Sequence, residues 1–300
     1  MQNSMKPIAA AIGNQPARSL SRAELWLGTE LLGRAGMADT VDNHLRLAGR
    51  LGHGMVCLPV AGDISDKPPL GYRYFEIREL KAAVRSGNRP IAAVVDGPFQ
   101  SLVNRMGLMA VLLAWSRDRK GLMAAFESEQ ADCLDLIRRS LDQGVRAVVM
   151  ADDFAADRGP MISPADIDAL CGPFYSRVVP LIQGADAAAF LHSCGNITSL
   201  VPLIKAWRFD GLAAVQHGAN DLTFLHRAFD GHMTIMAGIE PDLLASDTPP
   251  RSALKNFEHV VKTLAPSGDL ILCSSTGLYS GDFLARVRKV YRLADDLAAA

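Results

Sequence analysis

The sequence lacks a charge excess of either sign: 31 Lys and Arg stand against 32 Asp and Glu, leaving −1 at pH 7. It also lacks a dense Lys/Arg block, so the electrostatic footprint of a nucleic-acid binder is missing; basic residues gather only locally, for example at Arg117, Arg119 and Lys120. No segment holds 18 consecutive uncharged apolar residues, which leaves no candidate for a membrane-spanning helix. The apolar run 8–12 is too short for a signal peptide, and the expected compartment is the cytoplasm. Cysteine is sparse and odd in number: Cys57, Cys133, Cys171, Cys194 and Cys273 are widely scattered, unlike a disulfide framework. Glycine signatures are absent too. No strand-like run is followed by G-x-G-x-x-G, and there is no P-loop.

What is present is a chain of 300 residues, 49% hydrophobic, able to bury a full core as two small domains or one barrel. Residues 1–20 read as a loose leader and 21–300 as a single domain. A helix is expected over 23–27, since Ser21 and Glu24 are spaced as a capping box. A second helix is expected over 40–51. Short apolar runs at 55–60, 90–99, 145–150, 187–191, 211–218, 232–237 and 269–273 read as strands, and helical patterns separate them. Such alternation is the rhythm of a parallel sheet covered on both faces. Seven strands are legible; an eighth must be irregular or hidden within 63–75. The expected fold class is α/β, a (β/α)8 TIM-type barrel with a short N-terminal helical extension.

The chemistry concentrates at 191–196, Leu-His-Ser-Cys-Gly-Asn, immediately after a strand. Residues i and i+2 of a strand share a face, so His192 and Cys194 project together. Imidazole plus thiolate is a donor pair that zinc accepts. The same residues also suit a buried cysteine beside a turn histidine. Gly195 allows a sharp turn, and Asn196 can cap the following helix. In a barrel, chemistry sits at the carboxyl ends of the strands. Asp96, Asp152, Asp153, His192, Cys194, His217, Glu240 and Cys273 all fall there. The Asp152-Asp153 pair has two readings: carboxylates that hold a proton or orient a substrate, and carboxylates that brace a loop. Tyr175, Phe174, Met106, Met109 and Met123 read as core.

Several segments together resemble the uroporphyrinogen decarboxylase superfamily: RPIAAVVDGPF at 89–99, MADDFAADRGPMISP at 150–164, HSCGN at 192–196, GIEP at 238–241 and GDLILCSSTGL at 268–278. The resemblance implies a TIM-type barrel. Decarboxylases of the superfamily carry an N-terminal R-Q-A-G-R-Y motif, of which Arg34-Ala35-Gly36 and Gly49-Arg50 are fragments. The H-x-C motif points instead to the branch of zinc-dependent enzymes that move a methyl group from a methylated corrinoid (cobalamin) protein to a thiol such as coenzyme M. By that likeness His192, Cys194 and Cys273 are metal ligands, Asp152, Asp153 and Glu240 catalytic, and Asp96, Asn196 and His217 cofactor-binding. In that branch the third cysteine directly precedes a Gly-Leu pair. Here Thr276 does, with Cys273 three residues earlier, so His217 and Glu240 are alternative third ligands. The implied cofactors are Zn²⁺ and a corrinoid carried by a partner protein, and self-association as a homodimer is an added expectation. The alternatives are a tetrapyrrole decarboxylase and a non-catalytic corrinoid- or tetrapyrrole-binding barrel.

Overall fold

The computed structural model describes residues 20–62, 71–87, 89–230 and 233–299. The leader to residue 19, most of the 63–75 stretch and His232 of the expected 232–237 strand thus lie outside the described residues. Seven parallel strands form one sheet: β1 (Val56–Val60), β2 (Ile91–Asp96), β3 (Ala147–Ala151), β6 (Ala188–His192), β7 (Gly211–Val215), β8 (Thr234–Ile239) and β9 (Leu270–Ser274), paired in that order. β4 (Ala155–Ala156) and β5 (Gly159–Pro160) make a small antiparallel hairpin after β3. Each of the seven strands coincides with one of the expected apolar runs to within a few residues.

Side-chain alternation sorts each strand into two cores. Val56, Leu58, Val60, Ile91, Ala93, Val95, Val148, Met150, Ala189 and Leu191 pack outward against the helices. Cys57, Ala92, Val94, Ala147, Val149, Ala188, Phe190, Met236, Ile271 and Cys273 fill the interior. The interior set is rich in alanine because strands curling around a common axis leave little room there. Both faces are apolar, which is why the strands read as unbroken hydrophobic runs.

The expected helix over 23–27 does not form. Those residues are extended and run parallel to β9, with bridges Arg22–Leu272 and Leu27–Leu278. Leu272 N–H donates to Ser21 O at 2.8 Å, and on the other side Gly54 N–H donates to Arg22 O at 2.9 Å. The segment thus fills the gap between β9 and β1 and supplies the irregular eighth stave of the barrel. Ala23 and Leu25 join the interior core. The Ser21/Glu24 spacing imitates a capping box, but the Glu24 carboxylate is drawn into a tertiary network. It accepts from Ser274 N–H at 2.9 Å, from the Ser274 hydroxyl, and from Tyr291 O–H at 2.8 Å. His53 Nε2 lies 3.1 Å from that same Tyr291 hydroxyl, and Arg22 sits over the Tyr291 ring while pairing with Asp295.

The first helix is α1 (Thr29–Arg34), followed by α2 (Val41–Leu51), whose N-cap is Thr40. α3 (Ile77–Arg85) links β1 to β2. The next helical stretch splits at Gly107, where φ is +84°, into α4 (Pro98–Met106) and α5 (Leu108–Arg117). Met106 and Met109, expected in the core, are exposed at 39% and 67%: Met106 ends α4 beyond its buried Phe99 and Leu102, and of α5 only Val111 is buried. α6 (Arg119–Asp142) and α7 (Pro164–Gly184), capped by Ser163, cover β2, β3 and β6. α8 (Val201–Trp207), α9 (Leu222–Ala228), α10 (Pro241–Leu244), α11 (Arg251–Leu264) and α12 (Phe283–Ala299) complete the layer. No helix among the described residues is long and apolar enough to cross a membrane.

Burial pushes the Glu24 carboxyl up from 4.5 to about 7, against the opposing pull of its Ser274 and Tyr291 hydrogen bonds. A carboxyl with a raised folded-state pKa binds its proton more tightly when native. Its stabilising share is therefore full below pH 4.5 and is lost as pH rises through 7. The loss amounts to about 3 kcal/mol. Glu24→Gln has no such titration. We expect its unfolding free energy, relative to wild type, to improve by about that amount between pH 4.5 and 8 in urea titrations. A difference that is flat with pH refutes the buried titration.

Candidate metal centre

β6 alternates Ala188 and Phe190 inward, and the same parity turns His192 into the mouth of the barrel, where it is 2% exposed. Register aligns Asp96 of β2 with Ala151 of β3, and Ala151 with His192. The mouth therefore receives the tips of β2, β3 and β6 at one level. His192 Nδ1 lies 2.8 Å from Ala213 O. A carbonyl only accepts, so Nδ1 carries the proton and the Nε2 lone pair faces the mouth. The Ala213 carbonyl is presented by an irregularity in β7: register shifts between Leu212 and Val215, and Ala214 has a φ of +51°. That conformation is costly for a residue with a Cβ and marks a site held by its surroundings.

Around Nε2 stand Cys194 Sγ at 3.6 Å and Asp153 Oδ1 at 3.6 Å. These are the three groups among the described residues whose donor atoms cluster as a metal site requires, all lying within 4.8 Å of one another. Tetrahedral zinc, with bonds of about 2.0–2.3 Å to N, O and S, places neighbouring ligand atoms about 3.4–3.6 Å apart. The donor set and the two distances from His192 Nε2 fit zinc and leave one coordination position for another ligand.

Bonds from backbone N–H groups hold together the two strand tips that carry this cluster. Asp152 N–H donates to His192 O at 2.9 Å, Cys194 N–H to Asp153 Oδ1 at 2.8 Å, and Phe154 N–H to Ser193 Oγ at 3.0 Å. Asp152 itself is buried away from the cluster. Its carboxylate accepts from Gln100 N–H, in the first turn of α4, and from the Tyr175 hydroxyl. Burial pushes Asp152 up to about 8, and its hydrogen bonds only partly oppose this. Tyr175 lies in the core as expected, yet its hydroxyl has this polar task.

The Cys194 turn depends on Gly195, whose φ is +75° and where a Cβ would come within 2.6 Å of the Ala156 backbone. Asn196 N–H donates to Ala156 O, and its side chain accepts from Thr198 N–H at 3.0 Å, starting the short turn before α8. Two residues that sequence reasoning passed over complete the turn. Gln216 Oε1 accepts from Gly195 N–H at 2.6 Å. Buried Asn220 accepts from Ile197 N–H at 2.9 Å and donates to Gly195 O at 2.9 Å. Asn-Asp before a helix signals a cap, and Asp221 does cap α9, but nothing local announces that Asn220 reaches 25 residues back.

Cys273 is not brought to this cluster. It faces the interior, fully buried, with its thiol toward Glu24 and the Ser274 carbonyl. Burial, reinforced by Glu24, raises its pKa well above the ordinary value. His217 and Glu240 pair with each other instead. Glu240 Oε1 accepts from His217 N–H at 2.7 Å and lies 3.2 Å from Nδ1, while Oε2 accepts from Ser275 Oγ at 3.0 Å. Burial lowers the His217 pKa, with Glu240 partly offsetting it. The pair ties the tips of β7, β8 and β9. Thr276, which holds the place of the cysteine before Gly-Leu, is exposed.

Asp96 accepts from Tyr74 O–H at 3.0 Å and from Asn104 Nδ2 at 3.2 Å. Tyr74 begins an aromatic wall, unforeseen in the sequence because its members come from distant segments. Tyr72 lies 5.5 Å from Tyr74, 5.9 Å from Tyr279 and 5.9 Å from Trp26 between ring centres. Trp26 meets the His192 ring edge-on at 4.9 Å.

Burial and the Asp153 carboxylate push the metal-free Cys194 thiol up to about 12. The other four cysteines are buried. Iodoacetamide should therefore add once to the native metal-free protein, at Cys194. Its rate should climb about tenfold per pH unit from pH 8 through 10 without levelling. A plateau below pH 9 contradicts the desolvated thiol.

Comparison with solved structures places the barrel among enzymes of varied chemistry. A methyltransferase from Methanosarcina mazei superposes with a TM-score of 0.75 over 98% of this chain and 98% of its own, at 14% identity. A B12-independent methionine synthase from Shewanella sp. W3-18-1 gives 0.57 over 94% and 98%, at 13% identity. A sugar phosphate isomerase/epimerase from Parabacteroides distasonis ATCC 8503 gives 0.57 over 96% and 97%, also at 13%. At such identities the likeness is one of fold, and fold alone does not choose among these activities. No curated protein matches the sequence. The profile of the uroporphyrinogen decarboxylase (URO-D) family matches residues 58–296, most of the barrel, and the chain belongs to that family.

Proposed function

We propose that this barrel is a zinc-dependent methyltransferase that accepts a methyl group from a methylated corrinoid on a partner protein and delivers it to a small thiol. The observation that carries the reading is the convergence of Asp153, His192 and Cys194 at the mouth, with one nitrogen, one sulfur and one oxygen donor at zinc-like spacing. This names Asp153 as third ligand, where the likeness of sequence had suggested Cys273, His217 or Glu240. Bound zinc supplies thiolate at neutral pH, since metal coordination deprotonates a thiol that is otherwise mostly protonated.

The chain's own residues do the rest. Ala213 fixes the His192 tautomer so that Nε2 is available. Cys194 N–H holds Asp153 Oδ1 in place, and Trp26 packs on His192 and keeps that side of the ring dry. In the transfer a sulfur–carbon bond forms as the bond from methyl to its carrier breaks, and the electron pair of that bond remains with the carrier. The carrier docks over the mouth, where the thiol is held. A tetrapyrrole decarboxylase is disfavoured: the fragments of its arginine motif, Arg34 and Arg50, are exposed on α1 and α2.

Purified protein prepared with zinc is expected to hold about one ion per chain, as one three-ligand site requires. Asp153→Ala, His192→Ala and Cys194→Ala should each lower occupancy at least tenfold, whereas Cys273→Ala should retain it, by plasma emission and chelator competition. Wild type that holds no zinc ends the reading. Loss on Cys273→Ala, with retention on Asp153→Ala, reassigns the third ligand.

A further inference from the structure

Two features of the sequence that the metal centre leaves unused meet in α5. The exposed Met106 and Met109 stand at its start, and the basic cluster Arg117, Arg119 and Lys120 at its end. The helix itself, LMAVLLAWSR, carries apolar residues on every side, a composition suited to a core or a lipid phase rather than to water. Yet only Val111 is buried. Leu108, Leu112 and Trp115 share its side of the helix and are half-buried. Met109 and Leu113 face away and are 67% and 45% exposed, and Arg117 follows at the same four-residue step. One outward row of α5 thus runs from two apolar side chains to a guanidinium.

The charge carried by this region is mainly positive. From residue 97 to residue 126 the chain holds Arg105, Arg117, Arg119 and Lys120 against a single acid, Asp118. Acids of the neighbouring helices take up two of these cations. Glu129 of α6 pairs with Arg105 at 2.7 Å, and Asp166 of α7 lies 3.5 Å from Arg119, which also stacks over Trp115 at 4.1 Å. Asp118 is occupied as a cap, accepting from Gly121 N–H at 3.0 Å. Arg117 and Lys120 are exposed and have no hydrogen bond or ion pair among the described residues.

Hydrogen-bonding capacity decides what kind of surface fits. From Met106 to Trp115 no side chain bears an N–H or O–H except the Trp115 indole. Protein interfaces carry about one hydrogen bond per 100–200 Å², which this stripe cannot return, whereas acyl chains require none. Ten residues make a helix about 15 Å long, half of what a hydrocarbon core of about 30 Å demands, so α5 is suited to lie on a bilayer and not to cross it. Lying flat, it would sink Met109 and Leu113 to the boundary between headgroups and acyl chains while Arg117 and Lys120 meet the phosphates. We propose that α5 and the turn from Arg117 to Lys120 form a docking surface for an anionic lipid membrane. The proposal needs neither zinc nor the methyltransferase reading.

Vesicle co-sedimentation with full-length protein tests it. Vesicles of about 30% phosphatidylserine in phosphatidylcholine should bind at least tenfold more tightly than phosphatidylcholine alone, and about 0.5 M salt should erase the difference. Met109→Ser with Leu113→Ser should weaken binding to the phosphatidylserine vesicles at least tenfold. Arg117→Ser with Lys120→Ser should weaken it about tenfold and remove the preference for phosphatidylserine. Phe224→Ser, which removes an exposed apolar side chain from α9, should change nothing. Thermal unfolding checks the fold of each variant. Absence of vesicle binding, equal affinity for neutral vesicles, or binding that survives Met109→Ser with Leu113→Ser overturns the proposal. If vesicles do not bind and wild type is a dimer that the same double change makes monomeric in light scattering, the face belongs to a second copy. Retention on immobilised polyglutamate without vesicle binding assigns it to an acidic protein.

Discussion

The structure depends on a short ladder between two adjacent strand tips. Asp152 N–H to His192 O continues the pairing of β3 and β6 one step beyond the sheet, and Cys194 N–H to Asp153 Oδ1 extends it by a side chain. Each bond is modest on its own, about 1 kcal/mol net for a neutral pair and more where a carboxylate accepts. Their effect is geometric. They force a carboxylate from one strand and an imidazole and thiol from its neighbour to share a few ångströms, although a carboxylate beside a buried thiol disfavours thiolate. Such a juxtaposition is unfavourable for the bare protein and suits a cation that neutralises it. Burial and the neighbouring acid both raise the Cys194 thiol, so a bound cation there would relieve a cost that the bare cluster carries.

Much of the fold was legible because it rests on short-range rules. Seven apolar runs of five or six residues, each buried on both faces, announce parallel strands wherever they occur. The eighth stave was not legible. Residues 21–27 carry polar Arg22 and Glu24 and imitate a helix start, and only their pairing with Leu272, some 250 positions later, makes them extended. The same division runs through the site. His192 and Cys194 stand two apart on a strand tip, so alternation alone predicts their shared direction. Asp153 was visible as one of two adjacent acids, but which of the two faces the mouth is decided by Tyr175 and Gln100 capturing Asp152. Cys273 shares the inward parity of its strand, yet Glu24 on the closing stave claims its surroundings.

The aromatic wall illustrates a further limit. Trp26, Tyr72, Tyr74 and Tyr279 come from three segments, and none has a neighbour in sequence that marks it as more than a packing residue. Their ring contacts, and the Tyr72 and Tyr74 hydroxyls directed toward Asp96, exist only in the folded barrel. Trp26 reaches His192 because the closing stave carries it there. The segment that seals the barrel and the segment that shapes the mouth are the same seven residues.

That double duty orders the events of folding. Asp153, His192 and Cys194 lie within 42 positions of one another, on strands that pair directly. Closure instead joins Arg22 to Asp295 and Glu24 to Tyr291, across nearly the whole chain. Ordering so long a loop is entropically costly and slow, whereas the β2–β3–β6 unit is cheap to close. A chain emerging from the ribosome can therefore bring these three side chains together while Trp26 is still unplaced. The mouth acquires its aromatic side last, when α12 arrives.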